Sequence, residues 1–271
     1  MKYNTKKLIP DFKFEKVLWK RGYYVIGVDE VGRGALAGPL CAGAVCFPIF
    51  SSGGRRGGVP ASAQNFSPAT AGVRALARRK LLTESEEIEK IGINDSKKLS
   101  PAKREKLAKI IKKSCLAYAS ASISSKVIDK IGITKATQIA MRKAVREVIK
   151  KISKLVIKNE FEPKRNYLIT QLLNYFLLVD AFYIKYLKGI GLKNQKAIIH
   201  GDEKSISIAT ASIIAKVERD HNMIKLDQEY PIYFWKNNKG YGTKKHIEAI
   251  KSFGRSKWHR DLFLRKIKNQ I

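Results

Sequence analysis

Acidic residues are scarce in this chain. It holds 23 Asp and Glu against 54 Lys and Arg in 271 residues, a formal net charge of +31. A positive field of that size implies a polyanionic partner, nucleic acid or an anionic membrane. Long apolar runs are missing as well. None approaches the roughly 20 residues that span a bilayer, and the longest, around residues 169–179, is interrupted by Gln171 and Asn174. The first residues carry lysines without an apolar core or a small-residue cleavage site, so no secretory signal is expected. Cysteine is limited to Cys41, Cys46 and Cys115, with no C-x-x-C pair. That argues against a zinc site and for a reduced, cytoplasmic protein.

At 44% hydrophobic residues the chain can bury a real core. Residues 1–22 read as a basic arm with apolar anchors, and Asp11 can cap a short helix there. Tyr23–Val28 reads as a strand buried on both faces. Leu40–Phe47 follows so closely that the two should pair as an antiparallel hairpin. Residues 50–83 are rich in Gly, Ser, Ala and Arg up to Lys80, and they read as a mobile insertion. Pro101–Cys115 has helical spacing, with Ser100 and Pro101 as its cap and first turn. Ala117–Ile123 reads as a strand and Thr134–Leu155 as a long amphipathic helix. Phe176–Val179 and Ala197–Ile199 are short strand-like runs. Ser207–Val217 reads as a buried helix, with Asp220 near its end. The fold expected is α/β, a mixed sheet flanked by helices, with a basic and aromatic C-terminal helical extension.

The few acids gather at particular places. Val25–Val28 runs into Asp29 and Glu30, Phe176–Val179 into Asp180, and Ala197–Ile199 is soon followed by Asp202. Ligands of such sheets collect beyond the strand ends. Carboxylates brought together there repel one another, and they stay ionised when a cation sits between them. Oxygen ligands suit Mg²⁺ or Mn²⁺. A basic protein with such a cluster has the makings of a metal-dependent nuclease, in which two ions activate water and stabilise the leaving oxygen. Neighbours on a regular strand point to opposite faces, so Asp29 and Glu30 share a site only if the backbone bends or one contributes its carbonyl. Gly32-x-Gly34-x-x-Ala37 fits a relaxed dinucleotide fingerprint, but the two acids would crowd a pyrophosphate and a strand, not a helix, follows. A non-catalytic nucleic-acid-binding protein is the other class to weigh. It has no reason to aim four acids at its polyanion.

The stretch DEVGRGALAGP, Asp29–Pro39, resembles the signature of the ribonuclease HII family, bacterial type. NDSKKLS at Asn94–Ser100, LLVDAF at Leu177–Phe182, HGDEKSISIATASIIAKVERD at His200–Asp220, KGYGTKKH at Lys239–His246 and FGRSKWHR at Phe253–Arg260 resemble its further blocks, in the family's order. The resemblance implies an RNase H-like fold over a catalytic domain at 23–262, with a basic tail at 263–271. It implies endonucleolytic cleavage of RNA in RNA–DNA hybrids and incision 5′ of single ribonucleotides in duplex DNA, leaving 3′-hydroxyl and 5′-phosphate. By the same resemblance Asp29, Glu30, Asp180 and Asp202 are the metal-binding and catalytic carboxylates, for two Mg²⁺ or Mn²⁺ ions. Gly32, Arg33 and Gly34 grip the ribonucleotide, Tyr241 stacks at the RNA–DNA junction and senses the 2′-hydroxyl, and Lys97 meets the phosphates. Asp220 reads as a structural residue, and no histidine is needed for the mechanism. Position 35 is Ala where the family commonly has proline, His200 stands where a lysine often precedes Gly-Asp, and the insertion replaces a short loop. The related ribonuclease HIII pattern carries an extra N-terminal domain and lacks Gly-Arg-Gly. A monomer without membrane contact is expected.

Overall fold

The computed structural model describes residues 9–48, 93, 99–158 and 174–265. The insertion at 50–83 and Lys97 lie outside the described residues. Helix α1 (Lys13–Lys20) opens the fold. Asp11 lies one residue before its cap position, and its Oδ1 accepts from the Lys13 amide at 2.9 Å. Strands β1 (Tyr24–Val31) and β2 (Leu40–Cys46) form the antiparallel hairpin that their close-set apolar runs suggest. Helix α2 (Pro101–Ser114) starts at the expected cap, where Ser100 Oγ accepts from the Lys103 amide at 3.3 Å. Strand β3 (Ala117–Ile123), helix α3 (Ser125–Ile131) and the long helix α4 (Ile133–Lys158) follow. Strands β4 (Tyr175–Asp180) and β5 (Gln195–Ile198) complete the sheet. Helices α5 (Ile206–Glu229), α6 (Trp235–Asn238), α7 (Lys244–Phe253) and α8 (Asp261–Leu264) form the C-terminal part.

The sheet order is β3-β2-β1-β4-β5. Its first half is antiparallel and its second half parallel, since β4 runs alongside β1, and β5 alongside β4. The two-residue alternation of β1 splits its side chains between two cores. Tyr24, Ile26 and Val28 face a cluster with Ala140, Ala144 and Val148 of α4. Val25 faces the other, with Ile208, Ala211 and Ile214 of α5, Trp19 of α1 and Phe12 at the α1 cap. Helix α5 lies unusually near the sheet because two strand glycines face it. A Cβ on Gly27 would stand 2.1 Å from the Ser207 carbonyl carbon, and one on Gly43 2.1 Å from the Ala211 oxygen.

Two expectations need correcting. Strand β1 does not end at Val28. Pairing with β2 continues through Asp29↔Gly43, Glu30↔Ala42 and Val31↔Cys41, so the acids are part of the ladder. Helix α5 does not end near Asp220 but runs on to Glu229.

Candidate active site

The register places the acids. Val28 pairs with Val179 across the parallel β1–β4 ladder, so Asp29 and Asp180 follow side by side on neighbouring strands. Asp180 in turn pairs with Ile198 of β5. Asp29 shares the face of Val25, and Asp180 that of Phe176 and Leu178, the face covered by α5. Asp202 comes from the 3₁₀ turn Gly201–Glu203 just beyond β5. The Gly201 amide donates to Asp180 Oδ1 at 2.7 Å and ties that turn to β4. Glu30, in regular pairing, goes to the opposite face. Its Oε1 lies 3.5 Å from Arg33 Nη1.

Asp29 is buried. Burial first, then the charges of Glu30, Asp180 and Asp202, push its carboxyl well above the usual range, and a hydrogen bond with Ser212 of α5 offsets part of this. Glu30 is raised by burial too, with Arg33 opposing and Asp180 adding. Glu30 Oε2 is buried and has no hydrogen-bond partner. Among the described residues, no three His, Cys, Asp or Glu side chains stand drawn together as a ready metal cage. The reason is visible in their present partners. Asp29 Oδ1 accepts from the Glu30 amide at 2.7 Å, Asp180 is turned to Gly201, and Glu30 to Arg33. The donor set nevertheless suits a hard divalent cation: all oxygen, mutually repelling, with one orphaned buried carboxylate oxygen.

The glycine turn after β1 is held from below by two buried arginines. Arg260 Nη1 donates to the carbonyls of Gly32 at 2.7 Å and Arg33 at 3.1 Å, and its Nε and Nη2 reach Gly38 O at 3.0 and 2.9 Å. Arg219 Nε donates to Pro39 O at 3.0 Å. Gly32 has φ +93°, and a Cβ there would meet Arg219 Nε at 2.1 Å. A Cβ on Gly34 would meet nothing within 4 Å, so that backbone is open to a ligand. Ala35, buried, donates its amide to Gly32 O at 3.4 Å, a bond that a proline there could not make. Arg33 lies over the Phe182 ring at 5.3 Å.

Tyr241 is joined to this turn. The Gly240 carbonyl accepts from the amides of Leu36 at 2.8 Å and Ala37 at 3.1 Å. The Arg219 guanidinium sits 5.2 Å from the Tyr241 ring centroid, and the ring is partly exposed. The structure thus sets Asp29 and Asp180 side by side on one face, with the Asp202 charge acting on Asp29 and Glu30 around the strand, and it joins Gly32, Arg33 and Gly34 with Tyr241. Lys97 is not among the described residues. Asp220 stands apart, bonded to Arg104 Nη2 at 3.2 Å and Lys216 Nζ at 2.6 Å, and so fastens α5 to α2. Sequence reasoning missed Arg219, Arg260 and Ser212. Arg219 lies in the charged run Lys216–Asp220 of α5, where nothing local sets it apart as buried.

The fold is that of the RNase H-like α/β proteins. Solved structures share it: ribonuclease HII of Archaeoglobus fulgidus, from its complex with PCNA, matches with a TM-score of 0.54 at 22% identity, over 88% of this chain and 94% of that one. Bst-RNase HIII in complex with Mn²⁺ matches with 0.56 at 15% identity, over 88% of this chain and 65% of that one. The family model for ribonuclease HII matches residues 80–269. A ribonuclease HII of Caldicellulosiruptor bescii is 38% identical over 257 residues, 94% of each chain, a span that takes in β1 and its acids. The chain belongs to the ribonuclease HII family. It is a ribonuclease H, an endonuclease that hydrolyses phosphodiesters, and the reading as a non-catalytic binder falls away. Among the described residues no helix is long and apolar enough to cross a membrane.

Proposed function

We propose that Asp29, Asp180 and Asp202, with Glu30 near enough around the strand end to act on both Asp29 and Asp180, form a divalent-metal site at which the chain cuts the RNA strand of RNA–DNA hybrids and incises 5′ of single ribonucleotides in duplex DNA. The products are a 3′-hydroxyl and a 5′-phosphate. The observation that carries this is the side-by-side placement of Asp29 and Asp180 at neighbouring parallel strands, with Asp202 just beyond the third. Mg²⁺ or Mn²⁺ held there would lower the pKa of a water, so that hydroxide is available to attack, and would offer a counter-charge to the leaving oxygen. The chain does the rest. Asp29 and Asp180 present oxygens from a rigid ladder. The Gly32–Gly34 turn, its carbonyls fixed by Arg260, offers close backbone approach to a 2′-hydroxyl, the group that separates RNA from DNA. Tyr241 offers a ring on which a base or sugar stacks. In this reading the catalytic domain is 23–262, the 1–22 segment packs on it through Phe12 and Trp19, and the insertion at 50–83 and the tail at 263–271 add basic charge.

The experiment is cleavage of a labelled DNA duplex containing one ribonucleotide, with Mg²⁺, Mn²⁺ or chelator. A single metal-dependent cut 5′ of the ribonucleotide is expected. Cleavage of all-RNA hybrids alone, with this duplex left whole, would remove the single-ribonucleotide part. Cleavage undiminished in chelator would remove the metal.

A further inference from the structure

Two histidines lie buried under Tyr241, and their hydrogen bonds specify both tautomers. The Tyr241 carbonyl, which can only accept, lies 2.8 Å from His246 Nδ1, so Nδ1 carries the hydrogen. The Trp235 indole, which can only donate, gives its N–H to His246 Nε2 at 3.0 Å, so Nε2 is bare. His259 Nε2 also faces that nitrogen, at 3.2 Å. On the far side of His259, the Ser256 amide donates to Nδ1 at 2.9 Å and the Ser256 hydroxyl lies at 3.0 Å. The hydrogen of His259 is therefore on Nε2, pointing at His246. With both rings neutral, Trp235 and His259 share the one lone pair of His246 Nε2, and a proton added to either ring would set donor against donor. Both are buried, as is Trp235. Burial lowers both histidines, and His246 beside it helps bring His259 to about 4.

We propose that this pair is a neutral strut that positions Tyr241 for reading the ribonucleotide. His246 is a positioning residue: it touches no substrate and acts through the Tyr241 backbone. That carbonyl takes two bonds, from His246 and from the Thr243 amide at 2.8 Å. The preceding carbonyl, Gly240 O, is bonded to Leu36 and Ala37. The peptide groups around Tyr241 are thus pinned on one side to the glycine turn and on the other to the strut. His259 closes the frame, since its neighbour Arg260 holds the carbonyls of Gly32 and Arg33. The proposal rests on the reading of Tyr241 given above.

The test is a double-mutant cycle. An asparagine amide can stand where Nδ1 does, and a glutamine amide where Nε2 does. His246→Asn therefore retains the bond to Tyr241, and His246→Gln gives it up while still meeting Trp235 and His259. The readout is kcat/KM on a single-ribonucleotide duplex relative to a uniform RNA–DNA hybrid. His246→Gln is expected to lower that ratio about tenfold, the scale of one lost buried hydrogen bond, with His246→Asn restoring most of it. In a Tyr241→Ala background His246→Gln should lower the ratio no further. Additive losses would overturn the strut and leave Tyr241 in place. No loss in Tyr241→Ala alone would overturn the reading of Tyr241 and the strut with it. Independently of any variant, ¹⁵N spectra of the imidazoles of the whole chain should show one neutral Nδ1–H ring, His246, coupled to a neutral Nε2–H ring. Charge on His246 or His259, or His246 as the Nε2–H form, would contradict the proposal.

Discussion

Asp29 carries the conflict between folding and function most plainly. It is a buried carboxylate with three further acids near it, offset among the described residues by a serine and a backbone amide. Asp29→Asn removes the repulsion and retains the shape. We expect it to abolish cleavage, to preserve or improve duplex binding, and to stabilise the ion-free chain by about 1–2 kcal/mol. Cleavage and urea unfolding check this, and retained cleavage would take Asp29 out of the site. Arg260 is the opposite case, a buried cation whose bonds all go to carbonyls of the glycine turn. Arg260→Met should cost about 3 kcal/mol, because the carbonyls of Gly32, Arg33 and Gly38 then lose the guanidinium, with the weak Ala35 bond left on Gly32. A loss below about 1 kcal/mol in urea unfolding would show that the turn holds itself.

The elements differ in how far they could be read in advance. The β1–β2 hairpin was legible because two apolar runs stand close in sequence, and α2 because Ser100 and Pro101 mark its start. The continuation of β1 through Asp29 and Glu30 was not. Two adjacent acids look like a strand end, and only the partner strand, with Gly43 and Ala42 opposite, shows room for them. The acids themselves were legible, since each follows an apolar run. The histidines under Tyr241 were not, because their partners lie on three separate turns of the C-terminal region. They also give this region a pH response. His259 has an ordinary value near 6.5 that burial, His246 and Arg255 bring to about 4 in the fold, with the Ser256 amide opposing. The unfolded chain therefore binds more protons between those values. The stabilisation is full above about pH 6.5 and is lost as pH falls towards 4, by up to about 3 kcal/mol. Urea midpoints across that range should fall for the native chain and fall less for His259→Gln. Parallel curves would contradict the assignment.

At the scale of the whole molecule, a chain of net charge +31 brings a few of its acids together at the ends of β1, β4 and β5. On the proposed reading, the charge draws in the nucleic acid and the acids do the chemistry. Affinity for a non-cleavable duplex should fall steeply with salt, with a log–log slope of about −0.9 for each phosphate neutralised. A slope no steeper than about −1 would mean that the basic surface plays little part. The long-range closures were the least readable part of the chain. Arg260 grips Gly32 and Gly38 from more than 200 residues away in sequence, and no local pattern announces such a contact. The central claim is narrower: that the acids of β1 and β4 hold a divalent ion. Its most direct test is a Mn²⁺ titration of the full chain bound to a non-cleavable hybrid, followed by electron paramagnetic resonance. Saturable binding that is lost in both Asp29→Asn and Asp180→Asn is the expected result. Unchanged Mn²⁺ binding in the two variants would place the ion elsewhere and contradict the account.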